Sequence, residues 1–235
     1  MKYTNYARRL FYQSVAEQFD SLYNQYDLHR RLSIVFDELL SSDDLQGKLM
    51  LDAGCGSGEF SLKAVKQAAK VVSCDIAENI VRIAARKAFS IGVVGDACRL
   101  PFRSHAFDLV ISSEMIEHTE APYQAFGELV RVLKPGGFLV TTTPNKAWQW
   151  LVRLATRLHI RPFQGFENFL SWREVEALCS IHGLCVLKHV GFHPWPFQFR
   201  LWKLSAWVDR HFGKSSWAKA MINQASLARK PDKEL

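Results

Sequence analysis

The segment from Ser112 to Pro122 carries two glutamates and a histidine whose spacing suits acid–base or metal chemistry. If the segment is helical, Glu114, Glu117 and His118 stand at positions i, i+3 and i+4 and share one face. His118 could then be a general base for a hydroxyl proton, with Glu114 and Glu117 beside it as catalytic residues. All three could instead be ligands of a divalent cation such as magnesium. A third interpretation is that they cap the next helix and shape a pocket.

A glycine-rich loop joins a short apolar strand to a helix and could bind an anionic group. It contains Gly54, Gly56 and Gly58. Glycine lets the backbone turn sharply and approach a ligand, and the following helix N-terminus offers unpaired N–H groups. Seventeen residues beyond Gly58, Asp75 ends the next strand, where a carboxylate can bind both hydroxyls of a ribose. Glu59 interrupts the dinucleotide fingerprint, and the Lys and Ser/Thr of a phosphate loop are absent, which disfavours dehydrogenases and ATPases.

Alternating strands and helices are predicted to position both groups of residues. The sequence predicts strands at 48–52, 71–75, 91–95, 107–112 and 138–143, helices at 8–40, 58–69, 78–89 and 122–133, and a turn at 135–137. Helices near 147–159 and 172–181 and strands near 183–191 and 221–229 follow. Helices of this length between strands indicate βαβ units and a parallel sheet, whose carboxyl edge binds ligands in open α/β folds.

This pattern resembles the class I S-adenosylmethionine-dependent methyltransferases from about residue 50 to residue 144. Besides the glycine loop and Asp75, the resemblance rests on Gly-Asp-Ala at 95–97, Leu-Pro-Phe at 100–102, Phe-Asp-Leu-Val at 107–110 and Leu-Lys-Pro-Gly-Gly at 133–137. It implies an α/β fold: a Rossmann-like, seven-stranded, mostly parallel sheet with helices on both faces, an antiparallel last strand and helical C-terminal insertions.

The resemblance also implies a binding site for S-adenosyl-L-methionine. It places the three loop glycines under the methionine part of the cofactor, Asp75 on the ribose, and Asp96 at the adenine amino group with Ala97 beside it. The residues expected around the cofactor are Asp52, Gly54, Cys55, Gly56, Gly58, Asp75, Ile76, Asp96, Ala97 and Ser112.

A finer resemblance is to the polyprenyl-catechol O-methyltransferases of ubiquinone biosynthesis. It is carried by the stretches 113–118, 143–145 and 191–194. In that family, and in the small-RNA terminal 2′-O-methyltransferases, the Glu-x-x-Glu-His pattern is associated with a divalent metal and a later histidine. Residues 165–172 contain no histidine here, so Glu167 could substitute as an oxygen ligand, or the metal could be absent. His193 could line the acceptor pocket or be structural, and Phe11, Phe19 and Tyr23 could form a lid or belong to the core.

The charge and the tryptophans are distributed unequally along the 235 residues. Residues 1–145 hold 16 Lys and Arg against 17 Asp and Glu, whereas residues 146–235 hold 14 against 6 and contain all seven Trp. In one segment, basic residues recur at helical spacing (Arg153, Arg157 and Arg161) beside an apolar row of Trp150, Leu154 and Leu158. In a second segment, residues 197–212, basic side chains lie beside an apolar stripe of Phe197, Leu201, Leu204, Val208 and Phe212. Such segments can bind an anionic membrane surface or pack on their own domain. Nucleic acid is disfavoured as a partner because no separate RNA-binding module accompanies the basic residues.

The five cysteines are odd in number and never spaced Cys-x-x-Cys, which argues against a disulfide framework and a zinc ribbon. No signal peptide and no apolar run of membrane-spanning length stands out, so we expect a cytoplasmic protein that could associate with a membrane. We expect one methyltransferase domain over 1–235: a helical lid (1–45), a cofactor-binding core (46–145) and acceptor-side helices with the last strands (146–235).

These observations predict a methyltransferase that acts on a lipophilic phenolic or quinol-like small molecule. Two alternatives stay open. The acceptor could be a soluble metabolite, a sugar or an RNA terminal ribose, or the protein could bind the cofactor without chemistry and act as a partner protein. The sequence does not indicate an oligomeric state.

Overall fold

A computed structural model describes residues 24–157, 167–196, 199 and 201–232 of the chain. A seven-stranded sheet runs through it. The strands are β1 (Leu49–Ala53), β2 (Lys70–Asp75), β3 (Ile91–Val94), β4 (Phe107–Ser113), β5 (Leu133–Pro144), β6 (Cys185–Phe192) and β7 (Asn223–Arg229). Their order in the sheet is β3-β2-β1-β4-β5-β7-β6. The first five strands pair in parallel, while β7 pairs antiparallel with both β5 and β6. The predicted mostly parallel sheet with an antiparallel last strand is therefore confirmed.

Helices connect the strands and cover the sheet. They are α1 (Gln25–Ser33), α2 (Glu59–Lys66), α3 (Glu78–Ala88), α4 (Pro122–Val132), α5 (Gln149–Arg157), α6 (Trp172–Ile181) and α7 (Trp202–Phe212). A π-helical turn (Ile34–Leu39) continues α1, and short 3-10 helices lie at Ser42–Asp44, Ile116–His118, Lys146–Trp148 and Ser216–Ala220. Local sequence explains several helix starts: Pro122 occupies the first turn of α4, and Ser171 and Glu174 form a reciprocal capping box at α6.

The core forms two apolar layers because successive strand residues face opposite sides of the sheet. Leu51 and Val110 pack in the layer that holds α4 and α6, whereas Met50, Leu109 and Ile111 pack in the layer that holds α2 and the π-helical turn. Strands β6 and β7, which come from the basic back half, complete the sheet begun by the front half. The front and back halves of the chain therefore share one sheet.

Two predicted segments differ from the structure. The predicted turn at 135–137 lies inside β5, which begins at Leu133 and carries a pairing irregularity opposite β4. The chain end after β7 stabilises this extension, because Lys230 accepts from Gly136 N and donates to Gly137 O through its backbone. In the predicted helix at 8–40, residues 8–23 lie outside the described residues, and the described part ends as a π-helical turn.

All five cysteines are free thiols. Within the described ranges, no helix is both long enough and apolar enough to cross a membrane. Of the residues named from the sequence, Phe11, Phe19, Tyr23, Leu158, Arg161 and Phe197 lie outside the described residues.

Candidate functional site

The glycine loop follows β1 at the carboxyl edge of the sheet and is fixed against β2. Gly54 N and Cys55 N both donate to Cys74 O, at 2.8 and 3.0 Å. Gly54, Gly56 and Gly58 all have left-handed φ angles, of 75°, 49° and 87°, which L side chains rarely adopt. A Cβ on Gly54 would lie 2.6 Å from Met115 Cβ. The loop therefore needs glycine at 54 for backbone conformation and for the close approach of Met115.

Asp52, at the end of β1, anchors a chain of buried hydroxyl groups behind the loop. Ser61 Oγ donates to Asp52 Oδ2 at 2.6 Å, and Ser61 Oγ lies 2.7 Å from Ser73 Oγ. Burial raises the pKa of Asp52 to about 6, against hydrogen bonds from Ser61 that lower it. Burial likewise raises the pKa of the Cys55 thiol well above its ordinary value, so Cys55 is a packing residue of the loop rather than a nucleophile.

Two further carboxylates stand beyond the next two strands. Asp75 ends β2, and its carboxylate accepts from Gly56 N at 3.3 Å and from Ala77 N at 3.1 Å. Asp96 follows β3 and accepts from Cys98 N at 2.9 Å. Ile76 is half-buried, while Ala97 is buried beside Asp96. The edge thus presents the loop, Asp75 and Asp96 on three adjacent strands, β1, β2 and β3.

Two buried serine hydroxyls at this edge have unused hydrogen-bonding capacity. Ser57 lies in the glycine loop, and Ser112 lies near the end of β4, one residue beyond the pairing of Ile111 with Asp52. Neither Oγ has a hydrogen-bond partner among the described residues. Buried polar groups are normally satisfied, so orphaned hydroxyls at a ligand-binding edge fit a polar ligand. The donors, acceptors and glycine loop present here fit S-adenosylmethionine, whose charged amino-acid end and ribose need such partners.

The acidic–histidine segment does not form the single helical face that its spacing suggests. Only Ile116–His118 forms a short 3-10 helix, while Glu114 has a left-handed φ of 51°. Glu114 N donates to Thr142 O at 3.0 Å, which continues the β4–β5 ladder by one residue and prevents a helix from beginning there. The expectation that Glu114, Glu117 and His118 share a helix face is therefore wrong.

The two glutamates nevertheless lie near each other at the ends of β4 and β5, where Glu117 is buried and Glu114 is half-buried. Glu114 accepts from Thr142 Oγ1 at 3.2 Å and from Asn223 Nδ2 at 3.3 Å, and Glu117 Oε2 accepts from Thr143 Oγ1 at 3.2 Å. Burial, followed by the neighbouring charge of Glu114, raises the pKa of Glu117 well above its ordinary value. Burial also raises the pKa of Glu114, although Arg31 opposes this.

The residues in this segment do not fit a metal centre. Among the described residues, no group of three or more His, Cys, Asp and Glu is arranged to hold a metal ion. The oxygens of Glu114 face an amide and a hydroxyl donor, and one oxygen of Glu117 faces a second hydroxyl. His118 is half-buried next to Glu117 in the chain. The set Glu114, Glu117 and His118, predicted as metal ligands, is therefore not assembled as one.

A buried ionic network, which the sequence did not reveal, connects α1 to this segment. Arg31 donates from Nε to Asp27 Oδ2 at 2.9 Å and from Nη1 to Ser113 Oγ at 3.1 Å. Asp27 Oδ1 also lies 2.9 Å from His193 Nε2, and the His193 ring is fully buried. Burial tends to raise the pKa of Asp27, but Arg31 and His193 outweigh this effect and together lower it. Asp27 and Arg31 stand at i and i+4, which predicts a helical ion pair but not these partners.

His193 consequently belongs to the packing between α1, β6 and α7. Its backbone N donates to Asp209 Oδ1 at 2.9 Å, and Arg30 Nε donates to Asp209 Oδ2 at 3.1 Å. Glu167, the suggested substitute metal ligand, is half-buried. Its neighbour Asn168 donates from its backbone N to Glu117 O at 2.8 Å, so this stretch lies against the Glu117 segment.

Comparisons with known proteins agree with this architecture. Residues 51–141 match the family described as "Methyltransferase domain". The chain is 31% identical over 199 residues to the biotin biosynthesis bifunctional protein BioHC of Teredinibacter turnerae, which covers 77% of this chain and 35% of that protein. It is 26% identical over 183 residues to the ubiquinone biosynthesis O-methyltransferase of Rhizobium rhizogenes, covering 73% of each.

A solved structure has the same fold over nearly the whole chain. The magnesium protoporphyrin IX methyltransferase of Synechocystis PCC 6803, crystallised with bound SAH, has a TM-score of 0.67 and 16% identity, covering 97% of this chain and 100% of its own. The chain spans less than two thirds of the length of several relatives, 35% for the biotin protein. The family match, the relatives and the sheet order together confirm the resemblance: the chain carries a class I S-adenosylmethionine-dependent methyltransferase domain similar to the ubiquinone biosynthesis O-methyltransferases.

Proposed function

We propose that the protein transfers a methyl group from S-adenosylmethionine to a hydroxyl of a lipophilic phenolic or quinol-like small molecule. The observation that carries the proposal is the carboxyl edge, where the glycine loop and the orphaned hydroxyls of Ser57 and Ser112 meet. The similarity to ubiquinone biosynthesis O-methyltransferases supports a phenolic acceptor. The division into a lid, a cofactor core and an acceptor-side part stays a prediction.

The cofactor would be held by residues of four adjacent strands. The loop glycines, with Asp52 and Cys55 behind them, and the Ser112 hydroxyl would hold the methionine end. Asp75, with Ile76, would hold the ribose, and Asp96 with Ala97 would hold the adenine. S-adenosylmethionine, when bound, supplies an electrophilic methyl group. Asp75 and Asp96, which follow β2 and β3, add acidic side chains to this edge, and negative charge near it would favour a cationic ligand.

Proton removal is assigned to His118. Its imidazole is half-buried at the same edge, and an imidazole nitrogen can accept a phenolic or catecholic proton. Glu117, next in the chain, is buried and has an Oε1 with no partner among the described residues. We assign Glu114 and Glu117 a positioning role: their side chains line the water-poor surroundings of His118. No step is assigned to a divalent cation, because the donor set found here does not fit one.

One experiment tests the base separately from the cofactor site. His118→Asn should lose methyl transfer while S-adenosylmethionine still binds, as measured by titration calorimetry. His105→Asn is the matched control, because His105 precedes β4 at the opposite end of that strand and its left-handed φ tolerates Asn. Equal turnover in both variants would remove His118 as the base. If the wild type binds the cofactor but methylates no acceptor, the protein is a non-catalytic binding partner instead.

A peripheral contact with an anionic membrane is the second part of the proposal. The basic back half supplies α5 and α7, and a lipophilic acceptor would be reached most directly from a membrane surface. Soluble metabolites, sugars and RNA ends are the competing acceptors, and direct comparison of turnover distinguishes them.

A further inference from the structure

Helix α7 packs on the protein through its polar residues. Ser205 and Asp209, one turn apart, are its buried side chains. Asp209 accepts from Arg30 and from the backbone of His193, and Arg30 also pairs with Glu38. Most surface helices bury an apolar stripe and expose polar residues. Since α7 attaches through hydrogen bonds and an ion pair, its apolar side chains are left for another surface.

Those apolar side chains are concentrated on the outside of the molecule. Of the sixteen exposed large hydrophobic residues in the described chain, seven fall within 199–217. They are Phe199, Leu201, Trp202, Leu204, Trp207, Phe212 and Trp217. Trp207 is 52% exposed and Trp217 is 70% exposed. Exposed apolar side chains concentrated in one short segment indicate a contact site, whereas single scattered ones are ordinary surface composition. We call residues 199–220 the aromatic–basic face.

The charges on the aromatic–basic face have one sign. Lys203, Arg210, Lys214 and Lys219 are exposed in it. Its single acidic residue, Asp209, is buried against Arg30, so none of the described acidic side chains in this stretch reaches the surface. Tryptophan and basic side chains that surround apolar ones are the composition of a helix lying in a membrane interface, with the rings at headgroup depth.

We propose that the aromatic–basic face docks on the interface of an anionic phospholipid bilayer. Charge complementarity selects this partner: four exposed cations with no exposed acid match phosphate headgroups and would repel a basic protein surface. The adjoining α5 extends the same character, because Trp148 Nε1 donates to Ala220 O and α5 exposes Trp150 and Arg153 beyond it. The proposal deepens the proposed function, and its connection to the acceptor rests on that function.

The docked face is joined to the candidate site by side-chain contacts. The rings of Trp202 and Tyr26 stack with centroids 5.5 Å apart, and Tyr26 Oη donates to Trp202 O. Asp27, the next residue, pairs with Arg31, which donates to Ser113 beside Glu114. A lipid-phase acceptor would therefore leave the bilayer close to the helix, α1, that reaches the acidic–histidine segment.

Vesicle co-sedimentation of the full chain tests this proposal. The probes are vesicles of phosphatidylcholine alone and of phosphatidylcholine with phosphatidylglycerol at seven to three. We expect binding to the anionic vesicles that weakens with added salt. Lys203→Ser/Arg210→Ser should bind about 25-fold more weakly, because each cation near the surface contributes about fivefold. Leu204→Ser/Trp207→Ser should bind at least about tenfold more weakly.

A matched control replaces two apolar residues elsewhere that are also exposed. Ile181→Ser/Leu187→Ser alters residues that are exposed outside the aromatic–basic face and should bind like the wild type. Equal loss in this control, or no sedimentation of the wild type with anionic vesicles, overturns the proposal. So does sedimentation velocity showing that the face pairs two copies of the chain, since the partner would then be a protein.

Turnover with a water-soluble phenol separates the two hypotheses. The face variants should keep wild-type turnover on it, because they alter only the docking surface. Vesicle binding without any methyl transfer contradicts the proposed function and leaves the docking face standing. Methyl transfer without vesicle binding overturns the docking face and the proposed membrane contact, and leaves the proposed methyl transfer standing.

Discussion

Replacing Gly54 with alanine should damage both the fold and the cofactor site, and a second glycine separates the two causes of damage. Gly54 and Gly47 have nearly equal left-handed φ angles, of 75° and 71°. A Cβ at Gly47 would meet nothing within 4 Å, whereas a Cβ at Gly54 would lie 2.6 Å from Met115 Cβ. Gly47→Ala is therefore a control for the backbone term alone.

The expected magnitudes follow from these two terms. A left-handed alanine costs about 1–2 kcal/mol in both variants. Overpacking against Met115 adds about 1–3 kcal/mol in Gly54→Ala only. Because both variants replace the same residue type, the change in the unfolded chain cancels in the comparison. Gly54→Ala should therefore lose about 1–3 kcal/mol more free energy of unfolding than Gly47→Ala.

Urea denaturation with linear extrapolation measures this difference. Titration calorimetry of S-adenosylmethionine is the second assay, and only Gly54→Ala should lose affinity, because only it displaces the loop. If the two variants lose equal stability and bind the cofactor equally, the close approach of Met115 to the loop contributes to neither property.

Three further predictions concern buried charge and metal. Burial raises the pKa of Asp52 to about 6 in the folded protein, against 3.8 in the unfolded chain. Between these two pH values the folded state binds more protons than the unfolded state, so the free energy of unfolding falls as pH rises from 3.8 to 6. Asp52→Asn should remove about 3 kcal/mol of that pH dependence in urea denaturation, and an unchanged pH profile would contradict the assignment. Arg31→Met removes the arginine that pairs with Asp27 and should lower the free energy of unfolding by about 3–5 kcal/mol. Arg82→Met breaks an exposed ion pair and should lower it by less than about 1 kcal/mol. Equal losses in the two variants would contradict a stabilising role of the buried network. Turnover should survive exhaustive chelation, and its loss with recovery on added magnesium would show that a metal site forms after all.

The sheet and the residues at its carboxyl edge were predictable from the sequence because their signals are local. Apolar runs of five or six residues, helices between them and a glycine loop after β1 suffice to place the bounds of β1 to β4 within one residue. Parallel pairing then brings the loop, Asp75 and Asp96 to one edge without further information. The antiparallel position of β7 came from family resemblance, not from periodicity.

The acidic–histidine segment was not predictable, because pairing between strands overrides its helical spacing. Glu114 is held by the backbone of Thr142 on β5, which lies 28 residues further along the chain. The same holds for residues 135–137, where backbone hydrogen bonds with Lys230 stabilise strand structure in place of the predicted turn. Tertiary hydrogen bonds of this kind leave no periodic trace in the sequence.

The partners of α1 and α7 were also beyond sequence reasoning. Asp27 meets His193 across 166 residues, and Arg30 meets Asp209 across 179. The apolar residues of 201–212 suggested a stripe, but only the buried contacts of Ser205 and Asp209 establish which way the helix faces. The orientation of an amphipathic helix depends on the surface beneath it.

Methyl transfer by this protein is tested most directly with S-adenosylmethionine that carries tritium in its methyl group. Prenylated catechols, soluble phenols and RNA ends are offered to the wild-type protein in parallel, with His118→Asn as the reference. We expect label in the prenylated catechol, faster transfer to it than to the other acceptors, and loss of transfer in the variant. Label that appears only in RNA, or in no acceptor despite cofactor binding, would contradict it.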